Sequence, residues 1–583
     1  MKNRIKISYH LLRSSIRCCR GRMVERFVAV VLIALTGISV AGDIDWADWL
    51  VTGDWNDPAS WDGNKVPEPA DNAYFSAPSN IVATMGVNTN ATINSLQLSG
   101  SLECLTLDFA PTALLLCSSG VTTVNGGRTL NLIGGGLSTI GVTVGSDVPG
   151  NTFAVSDGGT FMGCTSVTVG AGSATSSNTL MIVDSDVDLT KVTGDDFNMG
   201  FSGAYSTLAL TNATLAVSNG VFRVGVNTSA RHNDVLLNNS TLYAGNIRLG
   251  INGATNRLIL TENSHVVVTT GSMIQGESSN SSGSETLLSA STLTARVLNI
   301  GNNGFGNTFT LRDASTLSIT DTLTVGDNGG VGNTLIISDN SKLTHCTSLR
   351  VGANSTTRNS TIVILDSDVE LPDLGPDRFN MGINGSYSTF AMTNASLIAT
   401  NNGGVFRVGV EQRGHNNYVL LSNSTLNVTH VRFGVHSSTN YFILADNAKV
   451  TTGSFRMSEG EASSNNVLMV CGTNVLVKAN EFQLYRDTAI KLEVPTQGFA
   501  QAPIHGNNFA MGPDITLTVE AKAFSLKGGG RVPLIYSANK SGLVYFKDTA
   551  SFATIEGRFE VEENDTLLVA YIPDKAATLI MVK

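Results

Sequence analysis

Short runs of alternating apolar and polar residues dominate the chain from about residue 125 to residue 485. In the run VFRVG, Phe222 and Val224 alternate with Arg223. A period of two is typical of a β-strand with one buried face. Apolar positions show no 3.6-residue period, and β-branched residues dominate the strands. We therefore predict short strands in which Phe222 and Val224 point inward and Arg223 faces solvent.

Glycines that close these strands recur at a nearly constant spacing. The intervals are 25 to 27 residues, with two of 30. The glycines are Gly145, Gly170, Gly200, Gly225, Gly250, Gly276, Gly301, Gly326, Gly352, Gly382, Gly409, Gly434 and Gly460. Each interval holds three short strands, so the pattern predicts an all-β fold, a right-handed parallel β-helix (solenoid) with coils of about 25 residues. At about 4.8 Å per coil, the recognisable coils would form a rod on the order of 60 Å.

An asparagine opens the first strand of many coils. Asparagines at the same corner of successive coils can hydrogen-bond to each other, so we interpret them as a structural ladder rather than as glycosylation sites. The asparagines are Asn151, Asn178, Asn233, Asn256, Asn307, Asn333, Asn417, Asn440 and Asn466.

The chain also contains a tandem duplication that is much longer than the 25-residue period. NTLMIVDSDVDL from Asn178 recurs as STIVILDSDVEL from Ser360, and the segment from Phe197 recurs from Phe379. The offset is 182 residues and widens to 184 after an insertion near Asn402. Residues 148 to 276 therefore match residues 330 to 460.

The ends of the chain differ from the repeat. All four tryptophans, Trp46, Trp49, Trp55 and Trp61, lie in one short N-terminal segment, which predicts a cap on the first coil. After residue 490 the period disappears and charge increases. We predict a signal peptide at 1–41, a Trp-rich cap with first strands at 42–100, the solenoid at 101–490, and a β-rich C-terminal cap or domain at 491–583.

The first 41 residues have the features of an export signal. Basic residues precede an apolar run from residue 27 to residue 38, and a small-residue site ends at Ala41. Met23 would open a more ordinary signal peptide and is an alternative start. Cleavage after Ala41 removes eight basic residues and one acidic residue, changing the formal charge from −10 to about −17. We therefore expect a secreted or cell-surface protein without a transmembrane span, and an acidic surface that disfavours nucleic acid.

Five cysteines remain after cleavage, without metal-ligand spacing. Cys164 and Cys346 occupy equivalent repeat positions and are expected to be buried apolar residues. Cys104 with Cys117 is the one pair considered for a disulfide. We expect no cofactor.

Carboxylates offer the best candidates for metal or catalytic chemistry. Asp184, Asp186 and Asp188 share one strand region, and Asp366, Asp368 and Glu370 repeat them in the second copy. Such a stripe could bind Ca²⁺ or a sugar, and Asp184, Asp186, Asp366 and Asp368 are the candidate ligands. Their presence in both copies favours a structural role.

Five arginines precede strand-closing glycines by two positions: Arg223, Arg248, Arg350, Arg407 and Arg432. In register, Arg223 would lie beside Arg248 and Arg407 beside Arg432, about 4.8 Å apart. Like charges at that spacing need compensation. Either acidic columns and solvent screen them, or they form a ladder for an extended anionic polymer such as an acidic polysaccharide.

Three features carry a family resemblance: the spacing of Trp55, Trp61 and Pro67, the Asn- and Gly-punctuated coils, and the C-terminal sequence that begins LIYSANKSGLVYF. They resemble bacterial secreted proteins with autotransporter-associated β-strand repeats. The resemblance implies a passenger-like surface solenoid. The C-terminal residues lack a series of alternating strands of membrane length, so we expect release or non-covalent attachment.

These observations predict a non-enzymatic structural or adhesive protein, with extracellular polysaccharide or a cell-surface component as the expected partner. The alternative is a polysaccharide lyase or glycoside hydrolase on a parallel β-helix. That alternative needs converging carboxylates and a walled cleft. The insertions near residues 190 to 196 and 371 to 377 are small.

Overall fold

A computed structural model describes residues 42–572 except 48–49, 77–81, 101, 522–529, 540–541, 554–556 and 563–565. The predicted signal peptide, the alternative start at Met23, and Trp49 lie outside the described residues.

Successive turns of the chain stack as coils of a parallel β-solenoid. It has about 18 turns of about 26 residues, and 54% of the chain is strand against 3% helix. At about 4.8 Å per turn, 18 turns make a rod roughly 85 Å long. The fold class predicted from the glycine period is confirmed.

Each full coil contributes strands to three faces, which we number in chain order. Among the described residues, the first face is a parallel ladder of 20 strands. Its strands are Thr52–Asp54, Val82–Val87, Cys104–Phe109, Thr129–Ile133, Thr152–Ser156, Thr179–Val183, Thr207–Thr211, Asp234–Asn238, Arg257–Thr261, Glu285–Ser289, Thr308–Arg312, Thr334–Ile337, Thr361–Leu365, Thr389–Thr393, Tyr418–Ser422, Tyr441–Ala445, Asn466–Cys471, Thr488–Glu493, Thr516–Glu520 and Ser551–Phe552.

The second face consists of shorter strands that follow a tight corner. Its separate strands are Ala91–Ile93, Leu114–Cys117, Gly136–Ser138, Thr160–Met162, Asp186–Asp188, His265–Val268, Thr292–Ala295, Thr316–Ile319, Lys342–Thr344, Asp368–Glu370, Ser396–Ala399 and Thr425–Val428. Five longer strands continue from the second face into the third: Thr214–Val224, Thr241–Leu249, Lys449–Met457, Leu476–Leu484 and Ile504–Met511.

The third face carries the arginine column. Its separate strands are Asp43–Asp45, Asn72–Phe75, Ser95–Leu98, Thr122–Val124, Gly141–Val144, Ser166–Val169, Gly194–Met199, Ser272–Gln275, Val297–Ile300, Thr322–Val325, Ser348–Val351, Phe379–Met381, Val405–Val408 and His430–Phe433. Three-residue 3-10 turns lie at Pro58–Ser60, Asp62–Asn64 and Asn401–Gly403.

One hydrophobic core fills the inside of the coils from Trp46 to Ile572. Alternate strand residues point into it, as in Phe222 and Val224, which are each 1% exposed. Stacked pairs such as Phe197 with Phe222, whose ring centroids are 4.7 Å apart, connect neighbouring coils. The inward and outward assignment made from the alternation is therefore confirmed at these positions.

The buried asparagines form the expected ladder. Asn233 Nδ2 donates to Asn256 Oδ1 at 2.9 Å, and Asn417 Nδ2 donates to Asn440 Oδ1 at 3.0 Å. Gly225 shows why glycine closes the third strand. Its φ is +70°, and a Cβ there would lie 2.1 Å from Asn256 Nδ2.

The parallel stack runs beyond both boundaries predicted for the solenoid, residues 101 and 490. It begins at Asp43–Asp45, and its last parallel pair joins Thr516–Glu520 to Ser551–Phe552. The glycine period missed most of the outer coils because residues other than glycine follow most of their third strands, although Gly512 does follow Ile504–Met511. Ser99, for example, donates its backbone N–H to Phe75 at the end of an early coil.

Buried tryptophans pack at the N-terminal end of the stack. Trp46, Trp55 and Trp61 are each at most 1% exposed. The Trp46 and Trp61 rings meet edge to face at 5.9 Å, and Trp46 stacks on Phe75 at 5.7 Å. These rings cover the core of the first coil, which is the arrangement that a cap requires.

The C-terminal end changes from parallel to antiparallel pairing. Gly530–Ser537 pairs in parallel with Ile504–Met511 and antiparallel with Leu567–Ile572, which in turn pairs with Arg558–Glu562. The helix Leu543–Thr549 buries its own Leu543 and Phe546 in the core. On the third face the stack therefore ends in a different local structure, with antiparallel strands and a helix.

The five cysteines in the described part of the chain are free thiols. Cys104 and Cys117 do not form the disulfide considered from the sequence, because they lie on different faces, the first and the second. Cys164 and Cys346 are fully buried, as expected for apolar residues in equivalent coils.

Candidate functional site

The arginines form a column on the outer surface of the third face. Strand register places Arg223 opposite Arg248 and Arg407 opposite Arg432. Arg350 is separated from Arg407 by the coil that contributes Asn380. The sequence therefore predicted which coils carry neighbouring arginines.

Arg456 also belongs to this column and was missed. It lies opposite Arg432, although it precedes Gly460 by four residues rather than two. Ser458 closes this strand in place of glycine, with φ +57° and its N–H donated to the carbonyl of Phe433. Gly460 is therefore not a strand-closing glycine, and counting back from it pointed to the wrong residue.

Arg223 is held by residues of its own copy. Its Nε donates to Asn198 Oδ1 at 2.8 Å, its Nη2 donates to the Asp195 carbonyl, and its Nη1 lies 3.1 Å from Asp195 Oδ2. The side chain is only 16% exposed. Burial lowers the pKa of Arg223, while the charge of Asp195 acts in the opposite direction. Arg248 meets Glu277 at 3.5 Å in the adjacent coil.

Arg407 makes the same two hydrogen bonds as Arg223, to an asparagine side chain and to an aspartate carbonyl, but its contact with the carboxylate is longer. Its Nε donates to Asn380 Oδ1 at 2.6 Å, and its Nη2 donates to the Asp377 carbonyl at 2.9 Å. The Asp377 carboxylate lies between Arg407 Nε at 3.8 Å and Arg432 Nη1 at 3.7 Å. Burial lowers the pKa of Arg407. Its Nη1 donates to no acceptor in the described part of the chain.

A compact ion-pair network follows in the next two coils. Arg432 donates two hydrogen bonds to Glu459, at 2.8 and 2.7 Å, and Arg456 lies 3.8 Å from the same carboxylate. Burial acts to raise the pKa of Glu459, but the arginine contacts together hold it below its usual value. Acidic partners therefore neutralise much of the column, and four of the five predicted arginines have one.

Arg350 is the exception, and it lines a cleft on the third face. The cleft has a volume of about 510 Å³. Its lining residues are Arg350, Pro376, Asp377, Arg378, Asn380, Ile383 and Arg407. Within the described ranges, no carboxylate lies within 4.0 Å of the guanidinium of Arg350 or Arg378. Arg378 was not singled out from the sequence because it lies in the corner segment before the strand Phe379–Met381.

The acidic stripe does not come together as a metal site. Asp184, with φ +47°, accepts a hydrogen bond from Asn212 Nδ2 at 3.0 Å, and Asp366 accepts the equivalent bond from Asn394 at 3.1 Å. These carboxylates begin ladders along an outer corner, where Asn239 Nδ2 bonds to Asn212 in turn. A structural role thus accounts for the first carboxylate of each triplet.

The remaining carboxylates of the stripe point outward. Asp186 and Asp188 are both exposed on the second face, as is Asp368 in the second copy. In the part of the chain that the structure describes, no group of three or more His, Cys, Asp or Glu side chains is placed to hold a metal ion. Asp184, Asp186, Asp366 and Asp368 therefore do not form the ligand set that the sequence suggested.

Among the described residues, no helix has both the length and the apolar character needed to cross a bilayer. Comparisons with protein-family models and with curated proteins find no match for this chain.

Proposed function

We propose that the chain is an exported, non-enzymatic structural and adhesive rod that binds extracellular acidic polysaccharide on its third face. The arginine column supports this proposal. Outward guanidinium groups recur on neighbouring coils of one face, at the coil spacing of about 4.8 Å. An extended anionic polymer can contact several such positions at once, so that weak contacts add up along the rod.

Local charge rather than net charge makes this binding possible. The expected mature chain carries a formal charge of about −17, which repels an acidic polymer at long range. Salt screens charges beyond about 8 Å at physiological ionic strength, so contacts at the column outweigh the distant carboxylates. Arginine suits the task because its planar guanidinium binds a carboxylate or sulfate with two parallel hydrogen bonds.

A glycan array with the mature protein tests the proposal. The array should contain carboxylated, sulfated and neutral polysaccharides, and it should be examined for retained protein and for released sugar products. We expect salt-sensitive retention on acidic glycans without product release. Time-dependent product release would instead establish the polysaccharide lyase or glycoside hydrolase alternative, and absence of retention on every acidic glycan would reject the binding role.

A further inference from the structure

The cleft around Arg350 differs between the two copies of the duplication. The second copy carries Arg350 and Arg378 where the first copy has Thr168 and Asp196. Asp377 and Arg407 match Asp195 and Arg223. Three arginines and one aspartate give the second-copy cleft a formal charge of +2, whereas one arginine and two aspartates give the equivalent positions −1. Only the second copy thus concentrates positive charge here.

The donors of this cleft are available to a ligand. Arg350 and Arg378 have no acidic partner among the described residues, and Arg407 has used Nε and Nη2 but not Nη1 for internal hydrogen bonds. The one carboxylate in the lining, that of Asp377, lies between Arg407 and Arg432. Three arginines without enough internal acceptors therefore line one space.

The dimensions of the cleft fit a sugar unit. Its volume of about 510 Å³ lies within the range of about 300 to 1,000 Å³ that is typical of small-molecule sites. Pro376 and Ile383 supply apolar surface for the C–H groups of a sugar ring. Asn380 is buried and uses both amide atoms internally, accepting from Arg407 Nε and donating to the Asp377 carbonyl, so it holds the wall of the cleft in place. The arginines supply paired donors for a planar or tetrahedral oxyanion.

We propose that this second-copy cleft is the specific anchor of the rod, binding one carboxylate- or sulfate-bearing sugar unit of an acidic polysaccharide through Arg350, Arg378 and Arg407. This assignment deepens and rests on the proposed polysaccharide binding. The rest of the column, which is paired with Asp195, Glu277 and Glu459, contributes weaker contacts with the flanking units of the polymer.

The first copy supplies the residues for the test. Arg350→Thr with Arg378→Asp installs in the second copy what the first copy carries at Thr168 and Asp196. A matched control, Arg296→Thr with Arg312→Asp, makes the same change in net charge at two exposed arginines away from the cleft. The reverse change, Thr168→Arg with Asp196→Arg, should create a second site in the first copy. Melting curves establish that each variant is folded.

Calorimetry should use oligogalacturonate, dextran sulfate and uncharged dextran, together with millimolar inorganic sulfate as a probe of the cleft alone. We expect the Arg350 and Arg378 variant to bind the acidic probes roughly 10- to 100-fold more weakly than the control variant. The reverse variant should raise the stoichiometry. Preference for oligogalacturonate or for dextran sulfate identifies the anion as carboxylate or sulfate.

The outcomes separate the two proposals. If acidic polymers bind but the Arg350 and Arg378 variant equals its control, the cleft assignment is wrong and the binding function stands. If sulfate binding depends on these arginines but no polymer binds, the cleft is an anion site and the polysaccharide function is wrong. If neither polymer nor sulfate binds, both proposals are wrong.

Discussion

The two copies of the duplication share one backbone ladder and differ in what they present on the third face. In the first copy the column begins with Thr168, Asn198 and Arg223, and in the second copy with Arg350, Asn380 and Arg407, in the same register. Both copies clamp the last arginine to an asparagine side chain and to an aspartate carbonyl. The strand pairing is thus indifferent to the exchange of threonine for arginine.

The outward and inward positions of a coil can therefore change independently of each other. An outward side chain on the third face touches its neighbours in the column and not the core, so charge can change without repacking. Even the two-residue insertion is absorbed: the continuous strand Thr214–Val224 is replaced by two strands and the 3-10 turn Asn401–Gly403. A duplicated solenoid can therefore carry an acidic set of side chains at one place in the first copy and a basic set at the equivalent place in the second.

Truncating a core phenylalanine should give the largest difference between the copies in unfolding free energy. Phe406 packs against Phe379 at 4.2 Å and also against Phe390 and Phe442, whereas the equivalent Phe222 stacks on Phe197. We expect Phe406→Ala to lower the unfolding free energy by about 3 to 5 kcal/mol in urea denaturation, because it leaves a cavity among rings. Phe222→Ala should fall at the low end of that range, and an equal or larger loss at Phe222 would contradict the comparison.

The asparagine ladder provides the next test, since Asn178 in the first copy corresponds to Ser360 in the second. Asn178 Oδ1 accepts hydrogen bonds from the backbone N–H and side-chain amide of Asn151, at 3.2 and 2.9 Å. Asn178→Ser should therefore cost about 1 to 3 kcal/mol of unfolding free energy. Ser360 Oγ is buried without a hydrogen-bond partner among the described residues.

Replacing the second-copy residue, Ser360→Ala, should accordingly change the unfolding free energy by less than about 0.5 kcal/mol. The same urea titration measures both variants. A large loss for Ser360→Ala would mean that the serine hydroxyl has an essential bond, and the two ladder positions would then be equivalent.

The contribution to stability should depend on pH more strongly for the ion pair of Glu459 with Arg432 than for that of Glu277 with Arg248. Contacts with Arg432 hold the pKa of Glu459 below 4.5 despite burial, so its stabilising effect is present above pH 4.5 and is lost as pH falls through the folded-state pKa. Glu459→Gln should cost about 1 kcal/mol at pH 7, and the difference from wild type should shrink in acid.

The first-copy equivalent provides the control for this pH dependence. Glu277 makes one contact with Arg248, at 3.5 Å. Glu277→Gln should cost less than about 0.5 kcal/mol at pH 7 in thermal denaturation. Equal effects at Glu277 and Glu459 would show that the bidentate geometry adds nothing.

The smallest difference between the copies is expected in the reaction rates of the equivalent cysteines, Cys164 and Cys346. Burial raises the pKa of Cys164 and of Cys346 to about 12, so both thiols stay protonated at pH 8. A thiol reagent should label both slowly and at the same rate in the folded protein, and it should label the half-buried Cys104 and Cys471 faster. Mass spectrometry of labelled peptides measures this, and unequal rates for Cys164 and Cys346 would show that one copy opens more readily.

The sequence predicts burial and stacking best where they depend only on the alternation within a strand or on the repeat. The alternation around Phe222 predicted burial, and the recurring Asn233 and Asn256 predicted a ladder, because identical residues at identical corners must meet when coils stack. Prediction was least successful where a rule depended on one residue type. Arg456 was missed because Ser458, and not a glycine, adopts the positive φ that closes its strand.

The order of residues along the chain is enough to predict the coil period, the side-chain alternation, the duplication and the neighbours of Arg223 and Arg407 in the column. Which of the charged side chains form ion pairs depends on the folded chain. Asp195 approaches Arg223 from 28 residues away, and Glu459 approaches Arg432 from 27 residues away. Such partners come from corner segments and from adjacent coils, whose side-chain directions depend on how the whole turn closes around the core. For the same reason only the folded chain could bring Arg350 and Arg378 to one cleft.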